Sequence, residues 1–366
     1  MSSAEPGRRA ATIYSVAQRA GVSIATVSRV LQGTTSTSEG TRRKVMQAVE
    51  ELDYVPLRAA RSLAVQRHEA HGLVVPELRG PYYAELLTGY ESAAAALGQS
   101  VVLVVTGRRD DPTQAVRDLA GRVDGLALSY STIADPVVQS LARTTPVVLV
   151  ARQQVPGTDA VVTESTESAR ALTAHLFAHG RTHLVFVGDP DSSSDVQARY
   201  TGFRHAHAAA DIPVRRPPLR VPFLEAAGVQ VAEEILRRRV KVDGLVCAND
   251  ELALAVMKRL EGSGVRVPDD IAIVGWDDVM TARYITPGLT TVRQPMRELG
   301  QTAATRLHER ITGMPARPEP IVLPTELVLR SSCGCTAKDR ATTAAASTPT
   351  SPTTTRGTAP PRRNTR

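Results

Sequence analysis

The sequence predicts an α/β protein with a small helical head at its N-terminus and a larger two-lobed body that contains parallel sheets. Residues 12–52 place apolar side chains at helical spacing, with a glycine between the first two helices. From His71 onward, short apolar runs alternate with helix-like segments, which is the pattern of parallel strands covered on both faces. At 366 residues the chain is long enough for two or three domains of ordinary size.

The first two helices of the head are short and joined by a tight turn. One face of the first helix is apolar and carries Ile13, Val16, Ala17 and Ala20. Gly21 stands where the chain reverses and a positive φ is expected, and Ser23 is placed to cap the second helix. This pattern predicts two helices that cross at a steep angle.

The outward face of the second helix is small, polar and basic, because Val27 and Val30 can turn toward a core. The residues on that outward face are Ala25, Ser28, Arg29 and Gln32. An arginine there can contact the O6 and N7 atoms of guanine in the major groove, while the Thr26 and Ser28 hydroxyls hold phosphates. Two amphipathic helices around a glycine also occur in helical bundles, so the spacing alone leaves both interpretations open.

A third helix is predicted over 39–52, with Ser38 as its cap and with Val45 and Val49 on its apolar face. After it, Pro56 can open another short helix in which Leu63 is a large apolar side chain among small ones. A leucine exposed on a basic helix is expected to pack against another molecule.

Several segments of this head follow one another in a fixed order. They are Tyr14-Ser15-Val16-Ala17, Gly21-Val22-Ser23, Thr26-Val27-Ser28-Arg29-Val30-Leu31 and Tyr54-Val55-Pro56, followed by Ala60 and Leu63. In this order the motifs resemble those of the LacI/GalR transcriptional regulators. The resemblance implies a flexible N-terminus over 1–11, a helix-turn-helix DNA-binding head over 12–55 and a hinge helix over 56–67.

The same resemblance implies roles for individual residues of the head. Ile24, Ala25 and Arg29 occupy base-reading positions, and Leu63 is a wedge inserted into the minor groove at the centre of the operator. Leu57 stands where the family usually has asparagine, so the hinge helix lacks a capping side chain worth about 1 kcal/mol. The expected DNA contacts are Thr12, Tyr14, Ser23, Ile24, Ala25, Thr26, Ser28, Arg29, Gln32 and Leu63.

Seven short apolar runs predict the strands of the body. They begin at Leu73, Val101, Gly125, Val147, His183, Gly244 and Ile271. Helix-like segments lie between them, for example over 83–97, 165–179, 226–239 and 250–263. Two strand groups imply two lobes, and the cleft at the carboxyl ends of the strands is the preferred place for a small ligand. The family resemblance implies a periplasmic-binding-protein-like body over 68–335, with an N-lobe (about 68–163 and 293–323) and a C-lobe (about 164–292 and 324–335).

Polar and aromatic side chains just beyond these strands are expected effector contacts, and the family resemblance implies two more, Arg199 in the family's Arg-x-x-Gly-Phe pattern and Phe223 at its aromatic position. Together they are Tyr82, Tyr83, Glu164, Arg199, Phe223, Asn249, Asp277 and Gln294. Asn249, Asp250 and Asp278 can instead cap helices or bind backbone N–H groups. Glu164 and Ser165 stand where the family commonly has Asp-Asn, so the ligand of a relative does not carry over. Asp277 and Glu164 opposing one arginine favour a neutral polyhydroxy compound, and we expect a carbohydrate.

The motifs that mark other classes of protein are missing from the sequence. It contains no Walker loop, no G-x-G-x-x-G after a strand and no G-x-S-x-G elbow, so no enzymatic activity is expected. It also lacks an apolar run of about 18 residues and the hydrophobic region of a signal peptide. We therefore expect a cytoplasmic protein rather than the solute-binding receptor of a transporter.

Three cysteines are too few for a disulfide framework, and Cys247 lies in an apolar strand pattern. Cys333-Gly334-Cys335 suggests a metal or redox site, but no second Cys/His pair at ligand spacing accompanies it, which favours an incidental pair. Solvated or capping roles are favoured for the scattered histidines His175, His179, His183, His205 and His207. No cofactor or metal is expected.

The net charge of +7 is concentrated at the two ends of the chain. Residues 1–66 contain nine basic and five acidic side chains, and residues 337–366 contain six and one. A basic head is expected of a phosphate-binding module. The Thr- and Pro-rich tail over 336–366 is expected to be disordered, either as a solubilising extension or as a weak extra DNA contact. It has no leucine heptads, so we expect a homodimer rather than a tetramer.

These features together predict a transcriptional regulator that binds a near-palindromic double-stranded DNA operator as a homodimer. The favoured mechanism is a repressor that leaves its operator when a small carbohydrate effector binds between the two lobes. A corepressor-dependent repressor of the same fold stays open, and a solute-binding sugar receptor is the remaining alternative.

Overall fold

The computed structural model describes residues 11–31, 37–54, 67–238 and 241–336. It divides the chain into two compact units, Met1–Glu69 and Ala70–Arg366, each with its own core. Gln32, Leu57, Leu63, nearly all of the predicted hinge helix and the tail after residue 336 lie outside the described residues.

Three helices form the described part of the head: α1 (Ile13–Ala20), α2 (Ile24–Leu31) and α3 (Glu39–Glu51). Their shared core contains Val16, Val27 and Val45, all fully buried.

The ends of these helices are fixed by short local interactions. The Thr12 and Ser15 side chains each accept a hydrogen bond from the other's backbone N–H, which starts α1. Gly21 ends α1 at φ 66°, the left-handed conformation that the sequence predicts for it. The Ser38 hydroxyl accepts from the N–H of Thr41 at 3.3 Å, so the predicted cap of α3 is present.

A six-stranded parallel sheet forms the first lobe of the body, with strand order β10-β5-β4-β3-β1-β2. Its strands are β1 (Ala70–Val75), β2 (Ser100–Val105), β3 (Gly125–Ser129), β4 (Val147–Val150), β5 (Asp159–Thr163) and β10 (Ile321–Leu323). Its helices are α4 (Gly80–Ala96), α5 (Pro112–Ala120), α6 (Asp135–Ala142) and α12 (Met296–Ile311). Helices α4 and α12 touch because Gly89 and Gly300 face the opposing backbone, where a Cβ atom would come within 2.0 and 2.1 Å of a carbonyl oxygen.

A three-stranded parallel sheet, of order β6-β7-β8, forms the second lobe. Its strands are β6 (Leu184–Val187), β7 (Gly244–Cys247) and β8 (Ala272–Val274). Its helices are α7 (Thr166–Ala178), α8 (Ser194–Ala209), α9 (Glu225–Arg238), α10 (Asp250–Glu261) and α11 (Met280–Tyr284). Strands β9 (Thr291–Arg293) and β11 (Glu326–Val328) pair antiparallel beside it.

The segment after β11 closes the edge of the second lobe. Ile273 in β8 donates its N–H to the Ser332 carbonyl at 3.0 Å, and the Ser332 hydroxyl accepts from the N–H of Thr290 at 2.9 Å. Cys333 and Cys335 follow directly and are buried in the same core cluster as Trp276. The end of the described body is therefore packed against the C-lobe.

One strand that the sequence analysis did not predict is β5, Asp159–Thr163. It begins with an aspartate, which breaks an apolar run, yet Asp159 is buried because two arginines bind it. None of the described helices is long and apolar enough to cross a membrane.

Candidate functional site

The exposed face of the second helix is the one that the sequence predicts. Val27 and Val30 are buried, whereas Ile24, Ala25 and Arg29 are exposed. The Nε of Arg29 donates to the Ala25 carbonyl of its own helix at 3.2 Å, so its guanidinium lies along the surface of α2.

The hydroxyl groups of the head are placed at helix starts. Ser23 accepts a hydrogen bond from the N–H of Thr26 at 3.2 Å, and their hydroxyl oxygens lie 2.9 Å apart. Thr12 caps α1, Tyr14 is 69% exposed and Ser28 is partly buried. Helix starts present unpaired N–H groups and a positive dipole end, which is where phosphates bind.

Three tyrosines form one wall of a cavity in the body. Tyr82 and Tyr83 stand in the first turn of α4, and Tyr130 directly follows β3. The ring centroids of Tyr82 lie 5.3 Å from Tyr83 and 5.8 Å from Tyr130. Aromatic faces of this kind pack against the apolar C–H faces of ligands.

Arg199 is held rigidly on the C-lobe side of the cavity. Its Nη1 donates to the Ala248 carbonyl at 2.6 Å, and its guanidinium lies 4.6 Å from the ring centroid of Trp276. The side chain is buried, and its Nε has no hydrogen-bond partner within the described part of the chain. A buried donor without a partner is a candidate ligand contact.

Asp277 follows β8 in a backbone conformation that L-residues rarely adopt. The φ of Asp277 is 119° and that of Asp278 is 56°. The backbone N–H of Asp277 donates to the carbonyl of Val292 at 2.8 Å. Strained backbone of this kind concentrates at ligand sites. Burial raises the pKa of the Asp277 carboxyl to about 7, although Arg199 and a hydrogen bond from Gln294 act in the opposite direction.

Six of the eight predicted effector residues line one cavity between the two lobes. They are Tyr82, Tyr83, Arg199, Phe223, Asn249 and Asp277. The cavity has a volume of only about 40 Å³, far below the roughly 300–1,000 Å³ of ordinary ligand pockets. A sugar-sized molecule therefore enters only if the lobes or the lining side chains move apart.

The other two predicted contacts, Glu164 and Gln294, do not line this cavity. The Glu164 carboxylate accepts from the N–H groups of Glu167 at 2.7 Å and Ser168 at 3.0 Å, so it caps α7. Glu164 instead lines a wider groove of about 820 Å³, so its expected contact with an effector stays a prediction. Gln294 lines a neighbouring groove that Asp277 also lines, and its amide donates to the Asp277 carboxylate.

Helix capping and backbone binding, the alternative roles predicted for Asn249, Asp250 and Asp278, are present in part. Asn249 lines the cavity and also caps α10, accepting from Leu252 at 3.1 Å. Asp250 accepts from the N–H of Val279 at 2.9 Å and from the Thr291 hydroxyl at 2.6 Å. Asp278 is paired with Arg293 and Arg330. Asp250 and Asp278 therefore hold the loop that positions Asp277.

Sequence reasoning missed five lining residues, which are Glu77, Arg79, Tyr130, Glu251 and Val279. Tyr130 could have been found, because it is the first residue after a predicted strand. Arg79 and Glu251 belong to helix starts, where charged residues are common and carry no clear signal.

The cavity carries more acid than base. Its lining acids are Glu77, Glu251 and Asp277, against Arg79 and Arg199. Burial raises the pKa of Glu251, and the nearby carboxylate of Glu77 raises it further. Desolvation also raises the pKa values of Tyr82 and Tyr83, which keeps both hydroxyls neutral hydrogen-bonding groups. An acidic, aromatic cavity suits neutral polar ligands better than anions.

A second group of chemically active side chains lies together in the C-lobe. The prediction that its histidines are scattered was wrong. His175, His179, Cys333 and Cys335 place one nitrogen or sulfur atom each within 4.8 Å of all the others. We call them the His-Cys cluster. The fold thus brings a second pair of ligand-type residues, His175 and His179, to the Cys-x-Cys motif. No such pair lies near the motif in the sequence.

Comparison with known proteins gives the family. Residues 12–56 match the family model of bacterial regulatory proteins, lacI family, and residues 173–333 match that of the periplasmic binding protein-like domain. The HTH-type transcriptional repressor PurR of Vibrio parahaemolyticus (serotype O3:K6, strain RIMD 2210633) is 32% identical over 328 residues, which cover 88% of this chain and 98% of that protein. The chain belongs to the LacI family. A PurR repressor from Aliivibrio fischeri (strain MJ11) is 33% identical over 330 residues, again covering 88% and 98%.

Solved structures agree with this assignment to the LacI family. The lac repressor dimer bound to operator and the anti-inducer ONPF has a TM-score of 0.79 at 30% identity, covering 89% of this chain and 99% of that one. The transcriptional regulator CelR in complex with cellobiose has a TM-score of 0.66 at 32% identity, covering 88% and 99%. This LacI-family protein is a DNA-binding transcriptional repressor with an effector-binding domain, and it is not an enzyme.

Proposed function

We infer that this repressor binds a small neutral carbohydrate in the cavity between its lobes and then releases its operator. The observation that carries this inference is the wall of Tyr82, Tyr83 and Tyr130 opposite Arg199 and Asp277. Aromatic faces pack on the C–H surface of a sugar ring, and the arginine and acid bind its hydroxyls.

Two solved relatives support a carbohydrate. One is the CelR complex with cellobiose, and another is a LacI-family regulator from Enterococcus faecium with bound ribose, which is 27% identical with a TM-score of 0.66 and covers 72% of this chain and 98% of that one. The lining acids Glu77, Glu251 and Asp277 offset the two lining arginines, so the cavity offers the charge of a sugar phosphate no excess of positive charge.

On the DNA, the exposed face of α2 supplies the contacts. Arg29 reads bases by hydrogen bonds, while Ile24 and Ala25 offer only apolar contacts such as those to thymine methyl groups. The working unit is a homodimer on a near-palindromic operator, as in the solved lac repressor dimer. Size-exclusion chromatography with light scattering, with and without operator, tests the oligomeric state.

The ligand is tested with the full chain and a panel of mono- and disaccharides, nucleobases, nucleosides and sugar phosphates. Arg199 lies over Trp276, the only tryptophan of the chain, so tryptophan fluorescence reports binding in the cavity. We expect saturable binding of a neutral sugar, confirmed by calorimetry. Saturable binding of nucleobases or sugar phosphates alone would overturn the proposal.

The direction of the response needs a separate measurement. The operator is first selected from a random oligonucleotide library, and its affinity is then measured with and without the sugar. We expect the sugar to weaken operator binding about 5- to 150-fold, the usual range of such coupling. A sugar that strengthens operator binding would instead make the protein a corepressor-dependent repressor.

A further inference from the structure

The His-Cys cluster joins two parts of the C-lobe that are far apart in sequence. His175 lies in the last turn of α7, and His179 follows that helix one turn later. Cys333 and Cys335 flank Gly334 in the segment that follows β11. A connection between these two segments therefore spans about 160 residues of chain.

The four ligand atoms converge on one point. The Nε2 atom of His175 lies 3.4 Å from the Cys333 sulfur and 3.3 Å from the Cys335 sulfur. The Nε2 atom of His179 lies 3.4 Å from the Cys335 sulfur. No pair among the four atoms is more than 4.8 Å apart.

The three nitrogen–sulfur separations of 3.3–3.4 Å are close to the edges of a coordination tetrahedron. With zinc–sulfur bonds of about 2.3 Å and zinc–nitrogen bonds of about 2.0 Å, the edges of a Cys₂His₂ tetrahedron are about 3.3–3.8 Å. We propose that the His-Cys cluster is a structural zinc site that fastens the end of the folded body to α7. Two thiolates balance the two charges of the ion, so the site is neutral overall and suited to burial.

The surroundings are those of a built site. The Cys333 side chain is fully buried and Cys335 is 5% exposed. The Thr290 hydroxyl donates to the Cys333 sulfur at 3.0 Å, so a second layer of hydrogen bonding already orients this sulfur, as is usual for metal ligands. Gly334 has a φ of 106°, which lets the short Cys-x-Cys segment turn both sulfurs toward the same point.

Four protein ligands leave no open coordination position for a substrate. The zinc is therefore structural, and its contribution is to hold the second lobe together. Cys333 packs in the same core cluster as Trp276, the residue that supports Arg199. The metal thus stabilises the C-lobe side of the effector cavity without touching it.

A disulfide between Cys333 and Cys335 is the chief rival. It would use both sulfurs, but it would leave the convergence of two imidazole nitrogens on those sulfurs unexplained. Neither cysteine forms a disulfide in this structure. Mass spectrometry after alkylation separates the two states, because only free or metal-bound thiols are alkylated once the protein is denatured in a chelator.

The first experiment measures metal in the full chain as purified without metal-affinity resin or chelator. We expect about one zinc per chain by plasma mass spectrometry. Removal of the metal at acidic pH with a chelator should lower the melting temperature by about 5 °C or more, and added zinc should restore it. Refilling the apoprotein with cobalt should give the intense visible bands of a tetrahedral site and a thiolate-to-cobalt charge-transfer band.

Variants of the His-Cys cluster test whether these residues bind the zinc and give the cobalt spectrum. Cys335→Ser and His179→Gln should each lose the bound zinc and the cobalt spectrum. The matched controls are Cys247→Ala, at the remaining cysteine, and His205→Gln, at an exposed histidine on α8, and both should keep one zinc per chain.

Three results would overturn the proposal. They are a Cys333–Cys335 disulfide in the protein as purified, a zinc dissociation constant weaker than about 1 µM, and cobalt spectra without a charge-transfer band. The cobalt measurement uses the unaltered chain, so it decides the question even if a variant fails to fold.

Discussion

The side-chain amide of Gln294 donates a hydrogen bond to the carboxylate of Asp277, and its carbonyl oxygen accepts one from Thr163 at 2.7 Å. All three side chains are buried. Thr163 ends β5 in the N-lobe sheet, whereas Asp277 stands at the effector cavity beyond β8. Gln294 lies where the chain crosses between the lobes, so it connects the crossing segments to the acid of the cavity.

Replacing this glutamine tests whether it positions Asp277. We expect Gln294→Ala to weaken effector binding about 5- to 30-fold, because a buried carboxylate loses a hydrogen bond worth about 1–2 kcal/mol. Operator affinity without effector should stay unchanged. Calorimetry measures the first quantity and fluorescence anisotropy the second. Gln301→Ala, at an exposed position of α12, is the control, and equal effects of both changes would contradict the positioning role.

The raised pKa of Asp277 makes stability depend on pH. Burial raises its pKa to about 7 in the folded protein, against 3.8 for an ordinary aspartate. The folded state therefore favours the protonated acid, and its stabilising contribution is lost as the pH rises from about 4 to 7. Asp277→Asn mimics the protonated acid, so its advantage in the free energy of unfolding over the natural chain should grow from pH 5 to pH 8.

Urea unfolding at the two pH values measures this difference. Asp211→Asn, at an exposed aspartate, should show no such trend. Effector affinity should change in the opposite sense, rising through pH 7, because an ionised Asp277 accepts hydrogen bonds from sugar hydroxyls. A pH-independent difference between Asp277→Asn and the natural chain would contradict the raised pKa.

Local signals in the sequence were sufficient for the head and for the apolar strands. The cap at Ser38, the positive φ of Gly21 and the buried face of α2 follow from interactions within a few residues. The strands β3 and β7 were found because their apolar runs are continuous and bounded by turns. Six cavity residues were found because they follow strand ends or match motifs of the family.

The features that the sequence analysis missed depend on distant residues. Strand β5 begins with Asp159, whose burial depends on arginines about 150 residues away. Glu164 was expected in the cavity, but its carboxylate is used by the N–H groups of the helix that begins two residues later. The His-Cys cluster needs a contact across more than 150 residues, which no spacing rule detects.

Base reading by α2 should rest mainly on Arg29. We expect Arg29→Ala to lower the ratio of operator affinity to random-DNA affinity by about 5- to 150-fold, since a bidentate contact to guanine contributes about 1–3 kcal/mol of discrimination. Arg42→Ala, at an exposed arginine of α3, is the charge-matched control and should weaken both DNAs about equally. Fluorescence anisotropy at fixed salt gives both affinities. Unchanged discrimination in Arg29→Ala would exclude the direct readout.

Leu63 is expected from the sequence to act at the centre of the operator. Leu63→Ala should weaken operator binding far more than random-DNA binding, because a wedge needs a base step that unstacks easily. The bend angle measured by fluorescence energy transfer between DNA ends should decrease in parallel. Leu57→Asn, which restores the side chain common in the family, should strengthen operator binding. Equal losses on both DNAs for Leu63→Ala would contradict the wedge.

The stability of the N-lobe should depend strongly on Asp159. This carboxylate is 1% exposed and binds the Arg306 guanidinium at 2.9 Å, that of Arg310 at 2.6 Å and the N–H of Arg317 at 2.9 Å. Removing it leaves two arginines without their shared partner, one of them buried, so Asp159→Ala should cost about 3–5 kcal/mol in the free energy of unfolding. Its control is Asp189→Ala, which breaks a solvent-exposed pair with Arg220 and should cost at most about 1 kcal/mol. Urea unfolding followed by far-ultraviolet circular dichroism compares the two variants. Similar losses in both would show that burial of Asp159 does not govern the strength of this network.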